Sequence, residues 1–245
     1  MLKMQAMIFA AGLGTRLKPL TDTMPKALVR VGGKPLIERV IEKLKDAGAD
    51  RIVVNVHHFA SKIVGYLKDN DNFGTDIKVS DETDKLLDTG GGIKKAAPLF
   101  DSDKPVLIHN VDILSNVDLA HLYAMHGDSA ATLVVSSRKT KRYLLFDDDM
   151  RLKGWTNIET GEVRSPYPDL NVADCRMLAF SGIHVISPSM FGLMDEFPDK
   201  FGIMDFYLKV CDKVVIKGYN KSDLKLMDVG KLDTLAEAEN FINQL

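Results

Sequence analysis

Cysteine is scarce in this chain: Cys175 and Cys211 are the two among 245 residues. They are too few and too widely spaced for a zinc cluster or a disulfide framework, and read as reduced packing residues. An excess of charge of one sign is also lacking. A net charge of -2 argues against a nucleic-acid polyanion as principal partner. No apolar run is long enough to span a bilayer, and the opening residues lack the pattern of a secretory leader. The chain therefore reads as cytoplasmic, with no membrane partner. Repeats, low-complexity tracts and linkers are absent. What remains is a chain 45% apolar, enough for one sizeable core, either a single domain or a domain with a sub-lobe.

Two common phosphate motifs are missing as well. Gly12-Leu13-Gly14-Thr15-Arg16-Leu17 has Leu where a dinucleotide fingerprint needs its third glycine, and no acidic residue ends a second strand at the expected distance. No Gly-Lys-Ser/Thr occurs, so there is no Walker-type loop.

What is present is an apolar strand over residues 5–10 that empties into this glycine-rich turn, followed by two cations, Arg16 and Lys26. Gly12 and Gly14 permit tight turns in which several N–H groups point at one anion. Thr15 adds a hydroxyl donor, Arg16 a planar fork and Lys26 a compact charge. Pro19 and Pro25 block helix between the cations and predict an ordered loop folding back over a ligand. Together these residues read as a cradle for nucleotide phosphates.

Along the rest of the chain, strands alternate with amphipathic helices. Strands are expected at 51–56, 76–80, 106–110 and 131–136. Helices are expected from Pro35 to about Asp46, around Ile63, Val64 and Leu67, and over 118–126. This rhythm predicts an α/β fold with a mainly parallel central sheet and helices on both faces. After Ser137 the pattern changes. Residues 143–146 and 152–155 flank the acidic turn Asp147-Asp148-Asp149 and suggest a hairpin. Residues 138–178 read as a small β insertion over one edge of the sheet. A strand at 179–186, a helix at 205–212, a strand at 214–218 and a helix at 231–243 complete the chain.

Two further constellations carry chemistry. Residues 86–93 read as a loop with three consecutive glycines, Gly90, Gly91 and Gly92, into a short helix ended by Pro98. Such a run suits close approach of a flat nucleobase to the backbone. The apolar strand ending Asn110-Val111-Asp112 delivers a carboxylate to the side of the sheet where open α/β folds bind ligands. Asp228, between an apolar run and the last helix, is a second. As a pair beside a phosphate cradle they suit Mg²⁺, a hard ion that prefers oxygen ligands. The histidines lack metal-ligand spacing and read as structural.

Taken in order, Ala10-Ala11-Gly12-Leu13-Gly14-Thr15-Arg16, Pro25-Lys26, Gly90-Gly91-Gly92, Asn110-Val111-Asp112 and Asp228-Val229-Gly230 resemble the sugar-1-phosphate nucleotidyltransferases. The match runs over nearly the whole chain and is most similar to the small single-domain branch, which includes N-acetylmuramate-1-phosphate uridylyltransferases and mannose- or heptose-1-phosphate guanylyltransferases. The departure is Val111, where the family usually has glycine. The resemblance implies one domain over residues 1–245 with a GT-A-like, Rossmann-like fold and a sugar-side insertion at 138–178. It implies transfer of a nucleotidyl group from an NTP, UTP ahead of GTP, to a sugar 1-phosphate, giving an NDP-sugar and pyrophosphate for cell-wall or surface polysaccharide. Nucleotide contacts then fall to Ala11, Gly12, Gly14, Thr15, Arg16, Lys26, Gly90, Gly91 and Asn110. Lys26 bridges the attacking and α-phosphates, Arg16 steadies the leaving pyrophosphate, and Asp112 and Asp228 hold Mg²⁺. The acceptor sugar falls to Ser181, Gly182, Asn157 and Tyr143, with Arg142 nearby. Alternatives are a phosphocholine cytidylyltransferase-like enzyme, for which Trp155 and Tyr143 could form a cage, and a non-catalytic subunit that binds an NDP-sugar. Monomer and dimer both remain open.

Overall fold

A run of buried side chains, Met4 to Ile8, makes strand β1 (Met4–Phe9) the axis of the molecule. In this computed structural model, residues 3–245 are described. Two short strands, β2 (Arg30–Val31) and β3 (Lys34–Pro35), precede helix α1 (Leu36–Asp46). The alternation then continues through β4 (Ala49–Val56), α2 (Ala60–Asp69), β5 (Asp76–Asp81), α3 (Asp88–Ala96) and β6 (Val106–Asn110). Next come β7 (Ile113–Ser115), α4 (Leu119–Met125) and β8 (Ala131–Ser136). A meander of β9 (Arg142–Phe146), β10 (Leu152–Asn157) and β11 (Glu162–Arg164) leads into the long β12 (Arg176–Ile186). The chain closes with α5 (Ser189–Leu193), α6 (Ile203–Val210), β13 (Ile216–Asn220), β14 (Leu226–Asp228) and α7 (Leu232–Ile242).

Ten of these strands form one mixed sheet, ordered β11-β10-β9-β12-β6-β1-β4-β5, with β8 and β13 branching from β12. Strands β6, β1, β4 and β5 run parallel, joined by helical crossovers. Strands β1, β4 and β6 are almost wholly buried, as expected of central parallel strands covered on both faces, whereas the edge strand β5 is largely exposed. One apolar cluster under α1 and α2 fills one side, and a second under α3 and α6 fills the other. In α1 the residues Leu36, Ile37, Val40, Ile41 and Leu44 are buried, the stripe that a 3.6-residue period produces.

The insertion differs from the expectation. It does not lie over an edge of the sheet but extends it. Strand β12 pairs with β9 through Arg176, Met177 and Leu178 and with β8 from Ala179, shifts register against β8 between Phe180 and His184, and pairs with β6 from Ile183. The shift brackets Gly182, whose φ of 74° is one that side-chain-bearing residues rarely adopt. One strand thus serves two wings, joining β9 of the insertion to β6 and β8 of the main sheet. The turn at Asp147 is a solvated hairpin tip, with Asp147 accepting from the Arg151 amide at 2.8 Å. Both cysteines are free thiols.

Three histidines are sealed in the core and held neutral by burial. His184 is pushed down to about 3, and His109 and His126 to about 4. In an unfolded chain they would titrate near ~6.5. Their contribution to stability is complete above that value and is lost as pH falls toward about 4, at up to ~1.4 kcal/mol per pH unit for each histidine. Urea midpoints are therefore expected to fall clearly between pH 7.5 and pH 5. Equal midpoints at the two values would contradict neutral burial.

Candidate active site

Strands β1 and β6 are in parallel register with Phe9 opposite Asn110, so the turn after β1 and the Asp112 segment emerge together. Beyond these strand ends lies a cavity of about 360 Å³ lined by Ala11, Gly12, Lys26, Asn110 and Asp112, with Phe9, Leu86 and Val111 as apolar wall. A side chain at Gly12 would meet nothing within 4 Å, so its backbone faces open space. Gly14 has a different reason to be glycine. Its φ is 64°, and a Cβ there would stand 2.9 Å from the Thr21 methyl and 3.1 Å from the Lys26 Cβ. The Thr21 hydroxyl donates to the Gly14 carbonyl at 2.8 Å, folding the proline-bounded loop back so that Lys26 enters the cavity. Thr15 and Arg16 occupy a short 3₁₀ turn and are exposed.

Lys26 donates to the Asp112 carboxylate, and both side chains are close to nine-tenths covered. Asp228 reaches the same place through the small antiparallel sheet of β7 and β14. There Asp228 pairs with Ile113, and the Val229 amide donates to the Asp112 carbonyl at 2.8 Å. Arg16 Nη2 lies 3.9 Å from the Asp228 carboxylate. A Cβ on Gly230 would crowd both groups, at 2.6 Å and 2.7 Å. Partial burial, then the neighbouring Asp112 carboxylate, raise the Asp228 pKa. The arrangement is two adjacent carboxylates, each with one cation. Among the described residues no group of three His, Cys, Asp or Glu side chains could hold a metal by itself.

In the wall of the cavity a buried polar chain ties the segments together, with Asn55 and Glu82 both among the lining residues. Asn55 Oδ1 accepts from the Ala10 amide at 2.8 Å and the Ala11 amide at 3.3 Å. Asn55 Nδ2 donates to Glu82 Oε1 at 2.7 Å, and Glu82 Oε2 accepts from the Leu87 amide at 3.0 Å. Sequence reasoning missed Asn55, Glu82 and Lys200, all of which line the cavity. A polar residue inside the apolar run 52–56 was a usable signal for Asn55. Glu82 and Lys200 carried none.

The glycine triplet requires correction. It is not an open loop but the first turns of α3, and all three residues are buried. The Gly90 and Gly91 amides donate to the Phe201 carbonyl at 2.9 Å and 3.2 Å, so they are not free for a base. Leu86, Asp88 and Thr89 line the cavity in their place, and Asp88 takes a φ of 65°. The candidate sugar residues also separate. Gly182 lies against the Asn110 side chain, where a Cβ would stand 2.7 Å from its amide nitrogen. The Ser181 hydroxyl is buried behind it. Tyr143 lines a second cavity. Asn157 is occupied in the β10–β11 turn, accepting from the Glu159 amide at 3.0 Å.

A cavity beyond the carboxyl ends of parallel strands, with a glycine turn, paired cations and paired carboxylates, defines a nucleotide-handling α/β protein. The chain belongs to the nucleotidyl transferase family, whose model matches residues 5–244. It is 33% identical to N-acetylmuramate alpha-1-phosphate uridylyltransferase of Caulobacter vibrioides over 76% of both chains. It is 34% identical to the enzyme of that name from Neisseria meningitidis serogroup B over 77% of both. A mannose-1-phosphate guanyltransferase of Yarrowia lipolytica is 30% identical over 80% of this chain, which spans 52% of that enzyme's length. In fold, the chain superposes on HddC from Yersinia pseudotuberculosis, solved with GMP-PN, with a TM-score of 0.76 and 22% identity over 98% of this chain and 99% of that one. Among the described residues no helix is long and apolar enough to cross a membrane.

The close packing of α3 makes a stability test. A Cβ on Gly91 would stand 2.0 Å from the Asp199 carbonyl oxygen. Gly91→Ala is expected to destabilise the fold by roughly 1–3 kcal/mol, as overpacking does, read as a lower urea midpoint. An unchanged midpoint would show that residues 199–201 yield freely.

Proposed function

We propose that this protein transfers a uridylyl group from UTP to a sugar 1-phosphate, releasing pyrophosphate and forming a UDP-sugar, with GTP the next-best donor. The observation that carries the reading is the placement of Lys26 on Asp112 at the cavity, with Asp228 and Arg16 alongside. The two uridylyltransferases at 33% and 34% identity support the choice of base.

The chemistry asks little of a proton carrier. A phosphate monoester is already ionised near neutral pH, so one of its oxygens can attack the α-phosphorus in line while the bond to the β-phosphate breaks. The difficulty is bringing two polyanions together and spreading the charge that develops, which is work for fixed cations and amides. The turn at Gly12, whose backbone faces open space, offers itself to the phosphates, while the Ala11 amide beside it is held by Asn55. Lys26, released from Asp112, lies between acceptor and α-phosphate, and Arg16 serves the departing pyrophosphate. Asp112 and Asp228 fit a divalent ion: two oxygen donors side by side, one of them with proton affinity raised by partial burial and then by its anionic neighbour. Mg²⁺ would take its other ligands from phosphate and water, and bound there it would neutralise charge at the α-phosphate.

The alternatives fit less well. Trp155 and Tyr143, which could have caged a quaternary ammonium, share their cavity with Arg138, Arg142 and Arg164, a setting that repels a cation. A purely regulatory role would not require both carboxylates beside both cations. Use of an NTP is in keeping with a cytoplasmic enzyme that supplies precursor for a cell-wall or surface polysaccharide.

Pyrophosphate release measured with four NTPs against a panel of sugar 1-phosphates is expected to show Mg²⁺-dependent turnover, fastest with UTP. Lys26→Ala and Asp228→Ala should each lower kcat by about 10²-fold or more, the scale seen when a charge-stabilising group is removed, with the fold intact by circular dichroism. Near-wild-type turnover in either variant would remove that residue from the reaction.

A further inference from the structure

The second cavity, about 370 Å³, has a character of its own. Arg138 and Arg142 come from the start of the insertion and Arg164 from β11. Trp155 and Phe180 supply aromatic surface. Arg164 lies 5.8 Å from the Trp155 ring centroid and is paired with Asp205 at 2.6 Å. Arg138 donates to the Phe180 carbonyl at 2.9 Å. Neither Arg138 nor Arg142 has a carboxylate partner among the described residues. Three guanidinium groups thus line the cavity with no carboxylate among its walls, and Arg164 alone of the three is paired with one, an imbalance that a bound anion would correct. Its position ties it to the reaction. Phe180 lines this cavity, while Gly182, two residues along the same strand, lies against Asn110 of the first. Two residues of strand span about 7 Å, roughly the width of a sugar ring.

We infer that the acceptor is an acidic sugar 1-phosphate, its ring crossing the strand at Phe180–Gly182 and a carboxylate on the ring or its substituent read by Arg138 and Arg142. This rests on the nucleotidyl-transfer reading and adds the substrate class. Kinetics with matched acceptors test it: N-acetylmuramate 1-phosphate against N-acetylglucosamine 1-phosphate, which lacks the carboxylate, and glucuronate 1-phosphate against glucose 1-phosphate. At least one acidic member is expected to exceed its neutral partner in kcat/KM by tenfold or more. Arg142→Met should cut that ratio at least tenfold, with Arg138→Met acting in the same direction. Turnover of neutral acceptors alone, or an acidic preference untouched by both variants, would overturn the inference and leave nucleotidyl transfer standing. Absence of turnover with every pair and every NTP would instead defeat the underlying reading.

A second inference rests on the buried polar chain in the wall of the first cavity. Glu82 is fully buried and Asn55 is 2% exposed. Together they link the amides of the phosphate turn to the loop of Leu86, Asp88 and Thr89. Gly92 makes room for them, since a Cβ there would stand 2.9 Å from Glu82 Oε1. The geometry points to Asn55 and Glu82 as positioning residues that set the spacing between triphosphate and base. Glu82→Gln tests this through amide polarity. The new amide nitrogen must face either the Asn55 amide nitrogen or the Leu87 N–H, donor against donor. KM for the NTP should rise at least tenfold, with a smaller change in kcat. In the double variant Glu82→Gln with Asn55→Asp, every donor meets an acceptor again, and at least half of the loss on a logarithmic scale should return. A single variant within twofold of wild type, or a folded double variant no better than the single, would overturn the role.

Discussion

The site depends on one short piece of backbone pairing, that of β7 with β14. Asp112 ends a segment in the middle of the chain and Asp228 lies near its close, and neither places the other. The Val229 amide on the Asp112 carbonyl, with the ladder between Ile113 and Asp228, sets them side by side. Two carboxylates so arranged repel each other unless positive charge is shared with them. Lys26 meets one and Arg16 the other, and both belong to the loop after β1. The fold thus holds two carboxylates and two cations together at one end of the sheet before any ligand arrives.

The glycines show how one residue type serves several purposes. At Gly12 nothing crowds the missing side chain, and the backbone is bare toward the cavity. At Gly14 both a left-handed φ and the nearness of Thr21 and Lys26 exclude a Cβ. The triplet in α3 answers to packing: Phe201, Asp199 and Glu82 fill the space where side chains would stand. A reading from composition treats all of them as potential ligand contacts. The structure separates them by asking what a methyl group would touch.

Much of the architecture was legible from local periodicity. The strands at β1, β4, β6 and β8, and the stripe of α1, declare themselves because a side chain's neighbours along one element repeat with fixed spacing. Less legible was anything fixed by distant partners. Strands β7 and β14 are three residues each and have no period to read. The insertion resembled a cover over the sheet because its hairpin is local, while its union with the sheet through β12 is not. Asn55 and Glu82 went unnoticed as functional groups for the same reason: each is an ordinary polar residue until the other meets it.

By itself, the sequence determined that a glycine turn would follow a buried strand, that two cations would be held in an ordered loop after it, and that a carboxylate would end the strand of Asn110. These follow from backbone sterics and from the side on which parallel strands present their ends. The tertiary structure alone decided which carboxylate stands by which cation, that Leu86, Asp88 and Thr89 rather than Gly90 and Gly91 line the first cavity, and that three arginines from separate segments share one cavity. The reason is physical. Charge interactions and hydrogen bonds act over a few ångströms of space, and only the completed sheet converts long separations in sequence into distances of that size.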